Sequence, residues 1–265
     1  MIDEKEIVEY YQFGQRVLDK TRALLLDYCS RGFSSELKAD ETVVTEADKA
    51  VEEVIRGEIS LSYPSHSILG EEFGDSGSAP LKWIIDPIDG TANFLTGIPT
   101  FGTILALFHG EVPLLGFSDH PLLGRRYCAR KGAGVFLGEK KLRVRGVSNE
   151  SLSPLENIAV SSRKCFAKSG HQALSDRFFA QHPSIRVYRD VFAHGLTAEG
   201  CIGGMVEWAN APWDLAVARI FAEEAGGSYF EFTPKGFSGS EKSAIFGASQ
   251  TVELLKEFFA EAIPG

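Results

Sequence analysis

The segment Trp83-Ile84-Ile85-Asp86-Pro87-Ile88-Asp89-Gly90-Thr91-Ala92-Asn93-Phe94 carries the densest chemistry in the chain. Three apolar residues run into two carboxylates separated by two residues, and a Gly-Thr pair follows. The apolar run reads as the end of a buried strand. Pro87 is expected to stop the ladder and turn the chain. Asp86 and Asp89 then sit at the C-terminal edge of a strand, where open α/β sheets place ligands. Gly90 lets the backbone approach a ligand closely, and the amides after it can point at an anion. Carboxylates beside such amides suit a phosphate bridged to hard divalent cations. Asp-Pro and Asp-Gly are also ordinary turn formers, so the segment alone does not decide between a site and a turn.

Three further segments bear on that choice. In Ile68-Leu69-Gly70-Glu71-Glu72-Phe73-Gly74 two adjacent Glu follow an apolar pair. On extended chain they point to opposite sides, so one can reach a metal while the other supports it from behind. In Ala211-Pro212-Trp213-Asp214-Leu215, Asp214 is expected to open a helix that ends at Gly226-Gly227. It reads either as an N-cap or as a carboxylate completing a metal site. In Val43-Val44-Thr45-Glu46-Ala47-Asp48, Thr45 and Asp48 have capping-box spacing, and together they can also polarise a water.

The elements that must position these residues are legible in part. Residues 3 to 29 read as one amphipathic helix, with Ile7, Tyr10/Tyr11, Gly14, Val17/Leu18, Leu24/Leu25 and Tyr28 on its apolar stripe. A second helix follows Thr45. Strand signals recur at 67–69, 83–85, 101–108, 113–118, 126–129 and 135–137, separated by turn pairs as in an antiparallel meander. From Ile158 onward helical and strand patterns alternate: 172–181, 185–188, 192–201, 205–208, 214–224 and 228–232, with a last helix at 252–262. Residues 75–80 read as a surface loop.

The chain has 265 residues, 44% of them hydrophobic, enough for a sizeable core. Its net charge is -9 with no basic run, which excludes nucleic acid as the primary ligand. An acidic protein with an anionic substrate needs cations to manage the repulsion. The four Cys form no C-x-x-C pair and read as reduced thiols of a cytoplasmic protein. The N-terminus lacks an apolar signal core, and no apolar stretch is long enough for a membrane span. His109, His120 and His194 are scattered rather than spaced i, i+4, so no zinc site is read, and His194 reads as a packed residue on a helix.

Taken together, Val44-Thr45-Glu46-Ala47-Asp48, Gly70-Glu71-Glu72, Asp86-Pro87-Ile88-Asp89-Gly90-Thr91 with Asn93-Phe94, and Trp213-Asp214 followed by Glu224-Ala225-Gly226-Gly227 resemble the inositol monophosphatase superfamily of metal-dependent phosphatases. They stand in the family's order and span nearly the whole chain. The resemblance implies an α/β (α+β) fold layered α-β-α-β-α, of the inositol monophosphatase and fructose-1,6-bisphosphatase type. Residues 1–150 would form an α+β half carrying most metal ligands, and residues 151–265 an α/β half that completes the site. It implies two or three Mg2+ ions, which neutralise a phosphate, activate water and stabilise the leaving alkoxide. By resemblance Glu71, Asp86 and the Ile88 carbonyl hold one ion, and Asp86, Asp89 and Asp214 another. The Gly90 and Thr91 amides would grip the phosphate, Thr91 with Asp48 and Thr45 would orient the attacking water, and Glu72 would support the metal ligands. Lys38 falls near the expected metal site, with a spacing to Asp48 one residue shorter than the family's. Lithium sensitivity and a homodimer are also implied.

Substrate choice rests on two places. Glu207 lies seven residues before Asp214, where inositol monophosphatases use a Glu to contact inositol hydroxyls. The segment Tyr188-Arg189-Asp190-Val191-Phe192, however, replaces the family's run of small residues. An added carboxylate at Asp190 suits a cationic alcohol better than a neutral polyol. That segment and Gly116-Phe117-Ser118-Asp119-His120-Pro121 resemble the histidinol-phosphatase branch. The small phosphorylated alcohol favoured is therefore histidinol phosphate, with inositol 1- or 4-phosphate as the alternative. A surface pair of Arg189 with Asp190, worth ~0 to 1 kcal/mol, is the bland reading. An additional protein-binding role is a lesser alternative.

Overall fold

The computed structural model describes residues 2–32, 34–37, 43–145, 157–183, 185, 187–188 and 190–264. Helix α1 (Glu4–Arg31) opens with a reciprocal capping box between Asp3 and Glu6 and packs the stripe read from its sequence on the core, with Ile7, Tyr11 and Leu24 only partly buried. A two-stranded ribbon, β1 (Ser35–Leu37) and β2 (Val43–Thr45), leads into α2 (Glu46–Ser62). Strands β3 (Ser67–Gly70), β4 (Gly74–Ser76), β5 (Leu81–Asp89), β6 (Gly102–His109), β7 (Val112–His120), β8 (Arg125–Arg130), β9 (Gly134–Leu137) and β10 (Lys140–Lys141) form an eight-stranded sheet. The short helix α3 (Thr91–Thr96) interrupts it after β5. A second, four-stranded sheet has the order β11 (Ile158–Val160), β12 (Gly204–Asn210), β14 (Lys242–Gly247), β13 (Ser228–Phe232). Helices α4 (Arg163–Lys168), α5 (Gln172–Gln181), α6 (Asp190–Ala198), α7 (Ala218–Glu224) and α8 (Ser249–Phe258) complete the second half.

Strand alternation builds the layers. Trp83, Ile85, Leu105, Leu107, Leu115 and Phe117 face α1 and α2 in one core. Their neighbours Ile104, Ala106, Tyr127 and Ala129 face the other way, onto Val191 of α6 and Val217, Ile220 and Phe221 at α7. Those two helices meet the second sheet through Ala193, Ala218 and Ala222 against Ala159, Met205 and Phe246. The far face of that sheet packs Val206, Trp208 and Ile245 on α4, α5 and α8. The result is α1/α2, sheet, α6/α7, sheet, α4/α5/α8: the five layers expected.

Five element readings need correction. Asp75 and Ser76, read as part of a surface loop, belong to β4 and pair with β3. Pro87 does not end its strand; β5 continues to Asp89 through a register shift between Asp86 and Asp89, where a missing N–H costs no ladder bond. The first sheet is no pure meander, because β3 pairs parallel with β5. Residues 185, 187 and 188 lie outside any strand, and the fourth strand of the second sheet is β14. The helix expected from Asp214 starts at Ala218. No helix among the described residues is long and apolar enough to cross a membrane, and all four cysteines are free thiols.

Candidate active site

The register shift in β5 brings Asp86 and Asp89 to one place, and a turn after β12 brings Asp214 to meet them. One carboxylate oxygen from each lies within 4.8 Å of the others. Asp86 is 1% exposed, and its Oδ1 is buried with no hydrogen-bond partner. Burial, then the charges of Glu71, Asp89 and Asp214, hold the Asp86 carboxyl well above the ordinary carboxylate range. Burial, then Asp190 and Asp214, do the same to Asp89. Asp214 is pushed up to about 8 by burial, Glu71 and Glu207. Carboxylates crowded in this way repel one another, and a divalent cation removes both costs: it supplies the missing partner of Asp86 Oδ1 and neutralises the charge. The donor set is all oxygen, as Mg2+ prefers, so these residues fit the metal that the sequence implies.

Asp214 is not the cap of α7. Its Oδ2 accepts from the Ala211 N–H at 3.0 Å, behind it in the chain, and Val217 precedes α7 without a side-chain cap. Asp48 is held at the start of α2. Its Oδ2 accepts from the Thr45 N–H (2.7 Å) and the Thr45 hydroxyl (2.5 Å), while Thr45 Oγ1 accepts from the Ala47 and Asp48 amides. Both residues are buried. Burial pushes the Asp48 carboxyl up to about 7 against the Thr45 hydrogen bonds that lower it, with Glu72 and Glu71 adding to the rise. Glu71 and Glu72 do not lie on extended chain; they occupy the turn between β3 and β4. Thr91 Oγ1 donates to the Ile88 carbonyl at 3.0 Å, and Gly90 precedes it with φ +84°, which a Cβ would strain.

Helix α6 reaches the same place from the second half. Asp190, its first residue, has φ +64°, and Asn93 Nδ2 donates to its Oδ2 at 3.0 Å. The Val191 N–H donates to Asp89 Oδ2. One turn on, His194 Nε2 meets Glu207 Oε1 at 2.9 Å. Glu207 is 4% exposed, and its Oε2 accepts from Ser161 Oγ (2.6 Å) and from Asn210 Nδ2. Asp119 and His120 are structural in their contacts: Arg22 and Arg126 pair with Asp119, and His120 Nδ1 meets the Phe101 carbonyl at 3.0 Å. Arg189 and Lys38 lie outside the described residues.

Sequence reasoning missed Glu52, Arg56, Ser161 and Asn210. Glu52 and Arg56 on α2 pair at 2.7 Å, an i, i+4 spacing that reads like a solvated surface pair. Its one distinguishing signal is that Glu52 lies beside Val51 and Ile55 in the apolar stripe. Ser161 and Asn210 join Glu207 through tertiary contact alone.

Comparison with known proteins agrees with the layered fold. A family model described as the inositol monophosphatase family matches residues 6–263. A histidinol-phosphatase of Streptomyces coelicolor is 36% identical, over 73% of this chain and 75% of its own. An inositol monophosphatase of Dictyostelium discoideum is 30% identical over 96% of both chains. Among solved structures, an IMPase of Thermotoga maritima superposes with a TM-score of 0.77 at 28% identity, covering 96% of this chain and 99% of that one.

Proposed function

The chain belongs to the inositol monophosphatase family and is a phosphoric monoester hydrolase, and from that premise we propose that it hydrolyses histidinol phosphate with Mg2+ as its metal. The observation that carries the substrate is Asp190, whose carboxylate lies against Gly90 and Asn93 and whose charge acts on Asp89. A carboxylate beside the phosphate site would gain nothing from a neutral polyol and would attract an alcohol that carries an amine and an imidazole, the phosphate being common to both esters. Glu207 supports the same choice. Three of its acceptor positions are already taken by His194, Ser161 and Asn210, which leaves little capacity for the several hydroxyls of an inositol ring. The similarity to histidinol-phosphatases at 36% identity is a further support.

In the mechanism proposed, Glu71, Asp86, Asp89, Asp214 and the Ile88 carbonyl hold the metal. Bound there, Mg2+ would neutralise the phosphate, make water more acidic and stabilise the departing alkoxide. The Gly90 and Thr91 amides orient the phosphate. Asp48, fixed by Thr45 and raised by burial above the ordinary carboxylate range in the metal-free protein, can take a proton from the attacking water, with Thr91 orienting that water. Glu72 raises the basicity of Asp48 through its charge. A homodimer and a cytoplasmic setting belong to the same reading; Ile98, Val187 and Tyr188 are exposed large apolar side chains that a second copy could cover.

The test is a panel of phosphate esters: histidinol phosphate, inositol 1-phosphate, fructose 1,6-bisphosphate, adenosine 3′,5′-bisphosphate and an aryl phosphate. Histidinol phosphate should show the highest kcat/KM, with turnover lost on chelation, restored by Mg2+ and inhibited by Li+ and Ca2+. A preference for inositol 1-phosphate would transfer the substrate role to Glu207. Full activity after chelation and desalting would refute the metal.

A further inference from the structure

Three successive amides of the turn that carries Glu71 and Glu72 are tied down, each to an element that itself bears a site residue. The Glu71 N–H donates to the Ile85 carbonyl at 3.2 Å, on β5 next to Asp86. The Glu72 N–H donates to Glu52 Oε2 at 2.8 Å and the Phe73 N–H to Glu52 Oε1 at 3.2 Å. Glu52 lies on α2, one turn beyond Asp48 and on the same helix face. It is fully buried, at 0% exposure. A buried carboxylate is expensive unless it is paired and hydrogen-bonded, and this one is satisfied by those two amides and by Arg56 Nε at 2.7 Å. Arg56 then extends the tie, donating to the Gly74 carbonyl and to Ser76 Oγ (3.3 Å) on β4, past the other end of the turn. The space under the turn exists because residue 70 is Gly: a Cβ there would overlap the Glu52 carboxylate.

We propose that Glu52, backed by Arg56 and admitted by Gly70, is a positioning residue that fixes the Glu71-Glu72 turn in the geometry a divalent cation requires. It touches neither substrate nor metal. It clamps the turn between the strand of Asp86 and the helix of Asp48, so that the Glu71 carboxylate meets the aspartate cluster without first losing conformational freedom. This rests on the metal-dependent reading above. Groups that orient metal ligands in this way are typically worth about 10- to 100-fold in affinity.

The experiment measures Mn2+ binding to the metal-stripped protein by electron paramagnetic resonance, with no substrate present, for wild type, Glu52→Gln and Gly70→Ala. In Glu52→Gln the side-chain amide turns a donor towards one of the two backbone N–H groups, and one tie is lost. In Gly70→Ala the new methyl displaces the carboxylate while its charge and Arg56 remain. Both variants should bind Mn2+ roughly 10- to 100-fold more weakly, and raising Mg2+ should restore much of their turnover. A purely structural role would lower the melting temperature and leave the affinity of the folded protein untouched. Variants that fold and bind Mn2+ like wild type overturn the inference. Should Glu52→Gln fail to fold, Gly70→Ala decides alone. A wild-type protein that binds no Mn2+ refutes the metal-dependent reading and the inference with it, whereas wild-type binding with unaltered variants refutes the inference only.

Discussion

At the scale of single residues the proposed chemistry turns on Asp86 Oδ1 and Asp190. The first is buried without a partner, beside carboxylates that raise its proton affinity. Asp86→Asn is nearly isosteric and removes one charge from the cluster, so the metal-free variant should melt no lower than wild type while losing nearly all turnover. A variant retaining a tenth of the wild-type rate would remove Asp86 from the role of shared metal ligand. Asp190 is the residue proposed to distinguish substrates. A charge-assisted hydrogen bond in a partly dry site contributes roughly 1.5 to 3 kcal/mol. Asp190→Ala should therefore lower kcat/KM for histidinol phosphate by about ten- to a hundredfold and leave an aryl phosphate much less affected. If the alcohol is instead an inositol, Glu207→Gln will be the damaging change and Asp190→Ala nearly silent; equal loss on every substrate would mean general damage. The carboxylates of this site were legible because their types and spacing have few other uses together. The buried network of Ser161, His194 and Asn210 around Glu207 was not, since each alone is an ordinary polar residue and only tertiary packing joins them.

Elements differ in how openly the sequence declares them. Helices α1 and α2 announce themselves through apolar periodicity, α2 also through its capping box, and that cap forms. The cap of α2 is also part of the site, which makes it testable on two readouts. Thr45→Ala removes an N-cap, at a cost of about 1 kcal/mol, and releases Asp48; the melting temperature should fall by a few degrees and turnover by much more, and Thr45→Ser should keep most of both. A fall in stability with unchanged turnover would leave Thr45 a cap only. Strand β5 hid its length because Pro87 argues against a ladder, while the structure places that proline at the register shift. Strand β14 hid altogether: Ser243-Ala244-Ile245-Phe246 is buried on both faces, so it shows no alternation, and nothing local reveals that it lies between β12 and β13. Asp214 misplaced the start of α7 because it is a cap-type residue directly before the apolar pattern, whereas its carboxylate serves Ala211 behind it.

At the scale of the whole molecule, the acidic cluster makes stability depend on pH and metal together. Asp48 at about 7 and Asp214 at about 8 lie above their unfolded values near 3.9, so the folded metal-free protein holds more protons than the unfolded chain. Stability from this source is complete below the unfolded pKa and is lost as pH rises through 7 to 8. Buried His120, lowered to about 4, acts oppositely, but only below its unfolded value near 6.5. Between about pH 6.5 and about pH 8.5 the carboxylates therefore prevail: the melting temperature of the stripped protein should fall across this window, and saturating Mg2+ should flatten the profile. A stripped protein that becomes more stable over the same range would contradict the carboxylate assignment. The three aspartates come from β5 in the first half and from the turn after β12 in the second, so their meeting also has a history in time. Long-range contacts of this kind close late, after most of the chain has committed to its layers. A cation that needs all three would have nothing to grip in the transition state for folding, and would act as a latch on the finished molecule. Mg2+ should accordingly slow the unfolding arm of a denaturant chevron and leave the refolding arm where it was. A refolding rate that climbs with Mg2+ would mean instead that the two halves recognise each other early, with the metal helping to bring them together.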